Sequence, residues 1–348
     1  MTTRVPLLID CDTGIDDALA LLLACASPEA DIRAVTCVAG NVDARQVAIN
    51  TRAVLELAGR GDVEVALGRE VPLLRKLVTT PETHGGQGVG DAVLPPPVQG
   101  LSSRHAADLI IAEATAHPGE LTLLTLGPMT NLAVAVLREP RLPKLLRRLV
   151  LMGGAYGTPG NTTPVAEWNV AVDPEAMAVV LRAWAPDGPV AWGEEPPRRP
   201  LALGLDVTEQ ARFLPQHLGR VGARAGCEPD GSRLDGSGAR DPIVAFVADA
   251  LAHYFRFHEA FDGFRGAFIH DPLALAAALD PSLVITRPLT VEVHLGGMAD
   301  GQTIADRRGH WGRAPNVDVA VSADVAGFLD RFIDRVGGLA ARMSGMAR

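Results

Sequence analysis

Two rhythms of apolar residues run through this chain. Short unbroken apolar runs read as buried strands, and longer stretches with apolar residues every three or four positions read as helices. Val5 to Ile9, Ile32 to Val38 and Val63 to Leu67 are of the first kind; Ala18 to Ala26 and Val42 to Leu57, between them, are of the second. This β-α-β-α-β order predicts a parallel sheet covered by helices on both faces. The rhythm resumes with a helix over Ala106 to Ala116, a strand over Leu121 to Leu126, a helix over Leu132 to Leu137 and a strand over Leu149 to Met152. Asp173-Pro174-Glu175 opens another helix, with proline in its first turn. The second half predicts strands at Leu201 to Leu205, Leu289 to Leu295, Gln302 to Asp306 and Val317 to Val321, and helices at Pro242 to Phe257, Leu273 to Leu279 and Ala323 to Val336. The expected fold is α/β, an open, mostly parallel, Rossmann-like sheet flanked by helices. Such sheets bind ligands at the carboxyl ends of their strands. One domain over 1–348 is expected, with surface insertions near 184–200 and 227–241, where Pro, Gly and charged residues replace the periodic pattern.

Polar residues gather where the runs end. Asp10, Asp12, Asp16 and Asp17 crowd into eight positions after the first strand. Asp16 and Asp17 could serve only to start the helix, but four like charges call for compensation. An all-oxygen donor set favours Ca²⁺ or Mg²⁺ over Zn²⁺. An EF-hand is excluded, since loop position 12 counted from Asp10 is Leu21. Asn41 follows the second strand and Leu126 ends the fourth. Arg69 to Ser103 breaks the pattern with a Gly-rich loop containing His84. Met152 leads into a second irregular segment holding Asn161, Glu167, Trp168 and Asn169, and His270-Asp271 opens a late helix. If these ends share one edge, the pocket offers carboxylates and amides to a ligand rich in hydroxyls.

Composition narrows the classes. The chain has 348 residues, 47% hydrophobic and 21% charged, with net charge −9. Aromatics are 4%, and no basic run is interleaved with them, so nucleic acid is not an expected partner. No apolar stretch reaches membrane-spanning length. Lysine occurs only at Lys76 and Lys144, which restricts lysine chemistry to two positions. The cysteines at 11, 25, 37 and 227 show no metal spacing, and the first strand follows Met1 almost at once. A cytoplasmic protein with reduced thiols is expected.

The run Asp10-Cys11-Asp12-Thr13-Gly14-Ile15-Asp16-Asp17-Ala18 resembles the amino-terminal signature of the inosine–uridine-type nucleoside hydrolases. The resemblance continues, in order, through Val38-Ala39-Gly40-Asn41, His84-Gly85, Gly127-Pro128-Met129-Thr130-Asn131, Leu151-Met152-Gly153-Gly154, Ala166-Glu167-Trp168-Asn169 and His270-Asp271-Pro272, nearly the whole chain. It implies hydrolysis of the N-glycosidic bond of ribonucleosides to base and ribose, with Ca²⁺ held by Asp12, Asp17, Asp271 and the carbonyl of Leu126. It also implies that Asp16, Asn161, Glu167, Asn169 and Asp271 hold ribose hydroxyls, that Asn41 and Met152 line the sugar site, and that the protein forms homo-oligomers, dimers or tetramers. Asp12, Asn169 and His270 are the expected catalytic residues: Asp12 as general base, His270 as leaving-group acid because an unperturbed imidazole titrates near ~6.5. His84, Trp168, Tyr254 and His258 are candidates for the base side, and base preference stays open. Asp10 is expected to support the loop from behind. Two rivals stand beside this reading. Asp10-Cys11-Asp12-Thr13 also resembles the DxDxT motif of haloacid-dehalogenase-type phosphatases, and a non-catalytic Ca²⁺-dependent nucleoside- or ribose-binding protein would use the same pocket.

Overall fold

The computed structural model describes residues 4–193, 195–234 and 239–346. Part of the expected 227–241 insertion, residues 235–238, lies outside the described residues, as does Glu194 of the 184–200 stretch. The strands are β1 (Val5–Cys11), β2 (Ala30–Cys37), β3 (Glu64–Leu67), β4 (Thr122–Thr125), β5 (Arg148–Met152), β6 (Leu201–Leu203), β7 (Arg212–Phe213), β8 (Ala267–Phe268), β9 (Val284–Val293), β10 (Thr303–Asp306) and β11 (Val317–Ala323). Nine of them form one sheet, in the order β10-β9-β11-β6-β5-β4-β1-β2-β3. Only β9 runs against its neighbours; the other pairings are parallel.

β1 owes its central place to its residues. Leu7, Leu8 and Ile9 are fully buried, with side chains directed alternately to the two faces. Leu7 and Ile9 join a core with the helices Ile15–Ala26, His270–Leu279 and Val325–Met346, while Leu8 joins a second core with the helices Ala106–Ala116, Thr130–Arg138 and Pro174–Trp184. From β1 the chain runs outward to β2 and β3, then returns to lay β4 on the other side of β1. The strand order therefore reverses between β1 and β4, and their carboxyl ends open a crevice there.

Three expectations shift. The first helix begins at Ile15, not Ala18, so Asp16 and Asp17 sit inside its first turn. Leu201 to Leu205 is not one strand: β6 stops at Leu203 and a short helix, Leu205–Thr208, follows. His270-Asp271 does not follow a strand of the main sheet. β8 pairs with β7 in a separate two-stranded ribbon. Packing of the helix His270–Leu279 against the helix Ile15–Ala26 brings Asp271 to the crevice instead.

Asn131 fastens the loops behind the crevice. Its amide donates to Asp10 Oδ1 (2.8 Å) and the Cys37 carbonyl (3.1 Å), and its oxygen accepts from the Arg69 amide (2.8 Å). Asp10 also accepts from Thr36 Oγ1 at 2.6 Å, so it braces the loop, as expected. Replacing Asn131 with alanine removes three bonds, two of them buried, of ~1 kcal/mol net each. Chemical denaturation is expected to show a loss of about 2–4 kcal/mol; an unchanged midpoint would remove Asn131 from this role.

Candidate active site

A cavity of about 480 Å³ opens at the crevice. Its floor comes from the ends of β1, β2 and β4: Asp12, Asp16, Asn41 and Leu126, with Asp271 from the helix behind. One wall is the segment Met152, Asn161, Glu167, Trp168 and Asn169; the other holds His84, Tyr254, His258 and His270. Every residue expected at the site from the sequence lines this cavity except Asp17, which lies just beneath it. Carboxylate oxygens of Asp16, Asp17 and Asp271 lie within 4.8 Å of one another.

The acids are held by backbone amides. Asp17 accepts from the amides of Asp12 (3.2 Å) and Gly14 (2.9 Å) and from Asn41 Nδ2 (3.2 Å). Helix start and site residue are thus one role, because the amides it caps are those that shape the Asp12 turn. Asp12 Oδ2 accepts from the Asn41 amide at 2.8 Å. Asp12 Oδ1 is buried with no hydrogen-bond partner. Burial pushes Asp12, Asp16, Asp17 and Asp271 all above the usual carboxylate range, and repulsion from neighbouring acids adds to it for Asp12, Asp16 and Asp271. Neither Lys nor Arg is among the described residues lining the cavity. An orphaned anionic oxygen among crowded, all-oxygen donors fits a hard divalent cation, with the Leu126 carbonyl in reach of the same floor. That carbonyl already accepts from Asn169 Nδ2 at 2.6 Å, which leaves it a second lone pair.

Two glycines make room for Asp12. A methyl group at Gly40 would overlap Asp12 Oδ2, and one at Gly127 would lie 2.6 Å from Oδ1. Gly127→Ala is therefore expected to displace the carboxylate and to cost roughly 10–100-fold in turnover, the scale of a misplacement near 1 Å. Circular dichroism should stay native; full activity would show that Asp12 tolerates the shift.

The wall that holds Asn161, Glu167 and Asn169 is tied to strand ends. Asn169 Nδ2 also donates to the Met152 carbonyl (3.3 Å). Glu167 caps the short helix Trp168–Val172 through the amides of Asn169 (2.9 Å) and Val170 (3.2 Å), and takes the Gly154 amide as well. Asn161 Oδ1 accepts from the Trp168 amide at 3.0 Å.

The histidines depart from the expected chemistry. His84 Nδ1 accepts from the Ile15 amide at 3.1 Å, which puts the ring proton on Nε2. Thr208 Oγ1 donates to the Gly204 carbonyl, so it receives the His270 Nδ1 proton at 2.8 Å, and His270 Nε2 carries a lone pair. Burial lowers both pKa values to about 3. The unperturbed titration expected of His270 is therefore not met. His258 bonds Asp262 through Nδ1 (2.7 Å) and accepts the Phe268 amide at Nε2 (3.4 Å), so both nitrogens are engaged. Its ring, not its nitrogens, faces the cavity.

Sequence reasoning missed Phe257, Phe261 and Phe268, together with Glu82, Glu209 and Asp262 on the same side. The spacing of Tyr254, Phe257, His258 and Phe261 carried the signal: at i, i+3, i+4 and i+7 they share one helix face. Glu209 gave none, because the short helix Leu205–Thr208 that positions it was not expected.

The model of the inosine-uridine preferring nucleoside hydrolase family matches residues 7–330. A pyrimidine-specific ribonucleoside hydrolase of Citrobacter koseri is 34% identical over 334 residues, covering 95% of this chain and 98% of the relative. Among solved structures, a purine-preferring ribonucleoside hydrolase from Gardnerella vaginalis superposes with a TM-score of 0.85 at 30% identity, covering 97% of this chain and 99% of the other. A plant nucleoside hydrolase gives 0.84 at 29% identity, covering 96% and 99%. No helix among the described residues is long and apolar enough to cross a membrane.

Proposed function

Because this chain belongs to the inosine-uridine preferring nucleoside hydrolase family and hydrolyses ribonucleosides to free base and ribose, we propose that its cavity divides that reaction among a calcium-binding floor, a sugar wall and a base-side wall. The observation that carries this reading is the orphaned, buried Oδ1 of Asp12 beside the cluster of Asp16, Asp17 and Asp271. Asp12, Asp17, Asp271 and the Leu126 carbonyl would hold Ca²⁺. When bound, the cation supplies orientation and a lowered pKa to a water molecule.

Asp12 accepts the proton of the attacking water. Asp16, Asn161, Glu167, Asn169 and Asp271 take ribose hydroxyls, with Asn41 and Met152 packed against the sugar. The C1′–N bond breaks through a sugar with oxocarbenium character, and the surrounding carboxylates favour that developing positive charge. His270 is the proton donor for neutral leaving bases, limited by the small fraction of its ring that is charged. His84, Tyr254 and Trp168 flank the base.

A phosphatase fits poorly, because a phosphate would meet no lysine or arginine among the described lining residues. The test is a panel of purine and pyrimidine ribonucleosides assayed for reducing sugar, with chelator and then with calcium restored. Ribose release that disappears with chelator and returns with Ca²⁺ is expected. Nucleoside binding without ribose release in the calcium-loaded protein would favour the non-catalytic binding protein.

A further inference from the structure

The base side of the cavity has a character that neutral nucleobases do not require. A chain of rings crosses it: His84 to Tyr254 at 5.5 Å, Tyr254 to His258 at 4.6 Å, His258 to Phe268 at 5.0 Å and Phe268 to His270 at 5.9 Å. Phe257 and Phe261 extend this wall outward, 4.6 Å apart. Glu82, Glu209 and Asp262 line the same cavity. Asp262 and Glu209 stand in one another's field, and Tyr254 lies in the fields of Asp16 and Asp271 as well as that of Asp262. The acids of the floor would be offset by a bound cation; on the base side Asp262 bonds His258 Nδ1 at 2.7 Å and Glu209 has Arg212 in its field, yet neither Lys nor Arg is among the described residues lining the cavity there. Arg212, stacked 4.8 Å from the Phe264 ring and 5.6 Å from that of Phe268, shows that this aromatic cluster takes a planar cation, and it does not line the cavity.

Rings with carboxylates beside them recognise flat cations. We propose that the substrates this site favours are ribonucleosides with a cationic base, N-ribosylpyridinium or N7-alkylated purine ribonucleosides, an inference that rests on the hydrolytic reading above. Their chemistry suits the wall. As water adds to C1′, the C1′–N bond breaks and its electron pair passes to the ring nitrogen, cancelling the positive charge. The base leaves neutral and needs no donor; one proton of the water goes to Asp12 and then to solvent. Ribosylpyridinium plus water thus gives ribose, pyridine and a proton. His258, with Nε2 already accepting the Phe268 amide, has no proton to spare for a neutral base.

The experiment compares 7-methylguanosine with guanosine, and N-ribosylnicotinamide with uridine, on the calcium-loaded protein. The measured quantity is the ratio of kcat/KM, cationic over neutral, because the intrinsic lability of each bond cancels between enzyme forms. The ratio is expected to fall at least fivefold from wild type to Glu209→Gln/Asp262→Asn. In wild type the KM of the cationic member is expected to rise with ionic strength while that of its neutral partner stays flat. An unchanged ratio together with a flat salt response would overturn the inference and leave nucleoside hydrolysis standing. If wild type releases ribose from none of the four, the reading beneath it falls as well.

Discussion

Asp12→Ala is expected to lower kcat by a factor on the order of 10³ or more, with ribose release from any ribonucleoside near background. General-base catalysis alone accounts for about 10²–10⁴, and the same carboxylate is a proposed calcium ligand. Its surroundings admit no substitute: Gly40 and Gly127 close on its two oxygens, and only Oδ2 is bonded, to the Asn41 amide. Asp12→Asn keeps the shape and that bond but removes the charge, so it should lose nearly as much turnover as alanine. Stability should move the other way. Removing one of four mutually repelling buried acids relieves the metal-free protein, so its melting temperature should rise in both variants. An Asp12→Asn enzyme with more than about a tenth of wild-type kcat would take the base role from this residue, since ~10² is the lower bound for that role.

The order of strands and helices was legible because β1, β2, β3 and the two helices between them alternate in clear apolar runs. The site was legible because the motifs that end those strands recur in one known order. What escaped depends on tertiary packing. The helix start at Ile15 hides behind Gly14, which as a cap residue offers no side-chain oxygen. The short helix after β6 was hidden by Leu201 to Leu205, whose apolar run fits a strand equally well. The protonation of His84 and His270 could not be read from the chain, for it is set by the Ile15 amide and by Thr208, 69 and 62 positions away. The aromatic wall was visible in spacing, but only the neighbouring acids of other segments give it an electrostatic character.

Removing calcium should abolish activity and also give the protein a pH-dependent instability. Asp12, Asp16, Asp17 and Asp271 have folded-state pKa values above those of exposed carboxylates, chiefly through burial, with repulsion added for all but Asp17. Groups raised in this way contribute stability that is complete below about pH 4, the unfolded value, and that is lost as pH rises through the folded value. For Asp16 that value is about 8. The chelated protein should therefore lose melting temperature steadily between pH 5 and pH 8 (order-of-magnitude bounds set by those two values). Bound calcium reverses the sign, since it selects the ionised carboxylates and competes with protons for them. At calcium about 100-fold above its dissociation constant the stabilisation is ~2.7 kcal/mol, or roughly 3–5 °C in a chain of this size. The gap between loaded and stripped melting temperatures should open as pH rises and nearly close towards pH 5. Calorimetry at matched ionic strength measures both curves. A gap that stays constant across this range would mean that Asp12, Asp17 and Asp271 do not hold the calcium, whatever the activity assay shows.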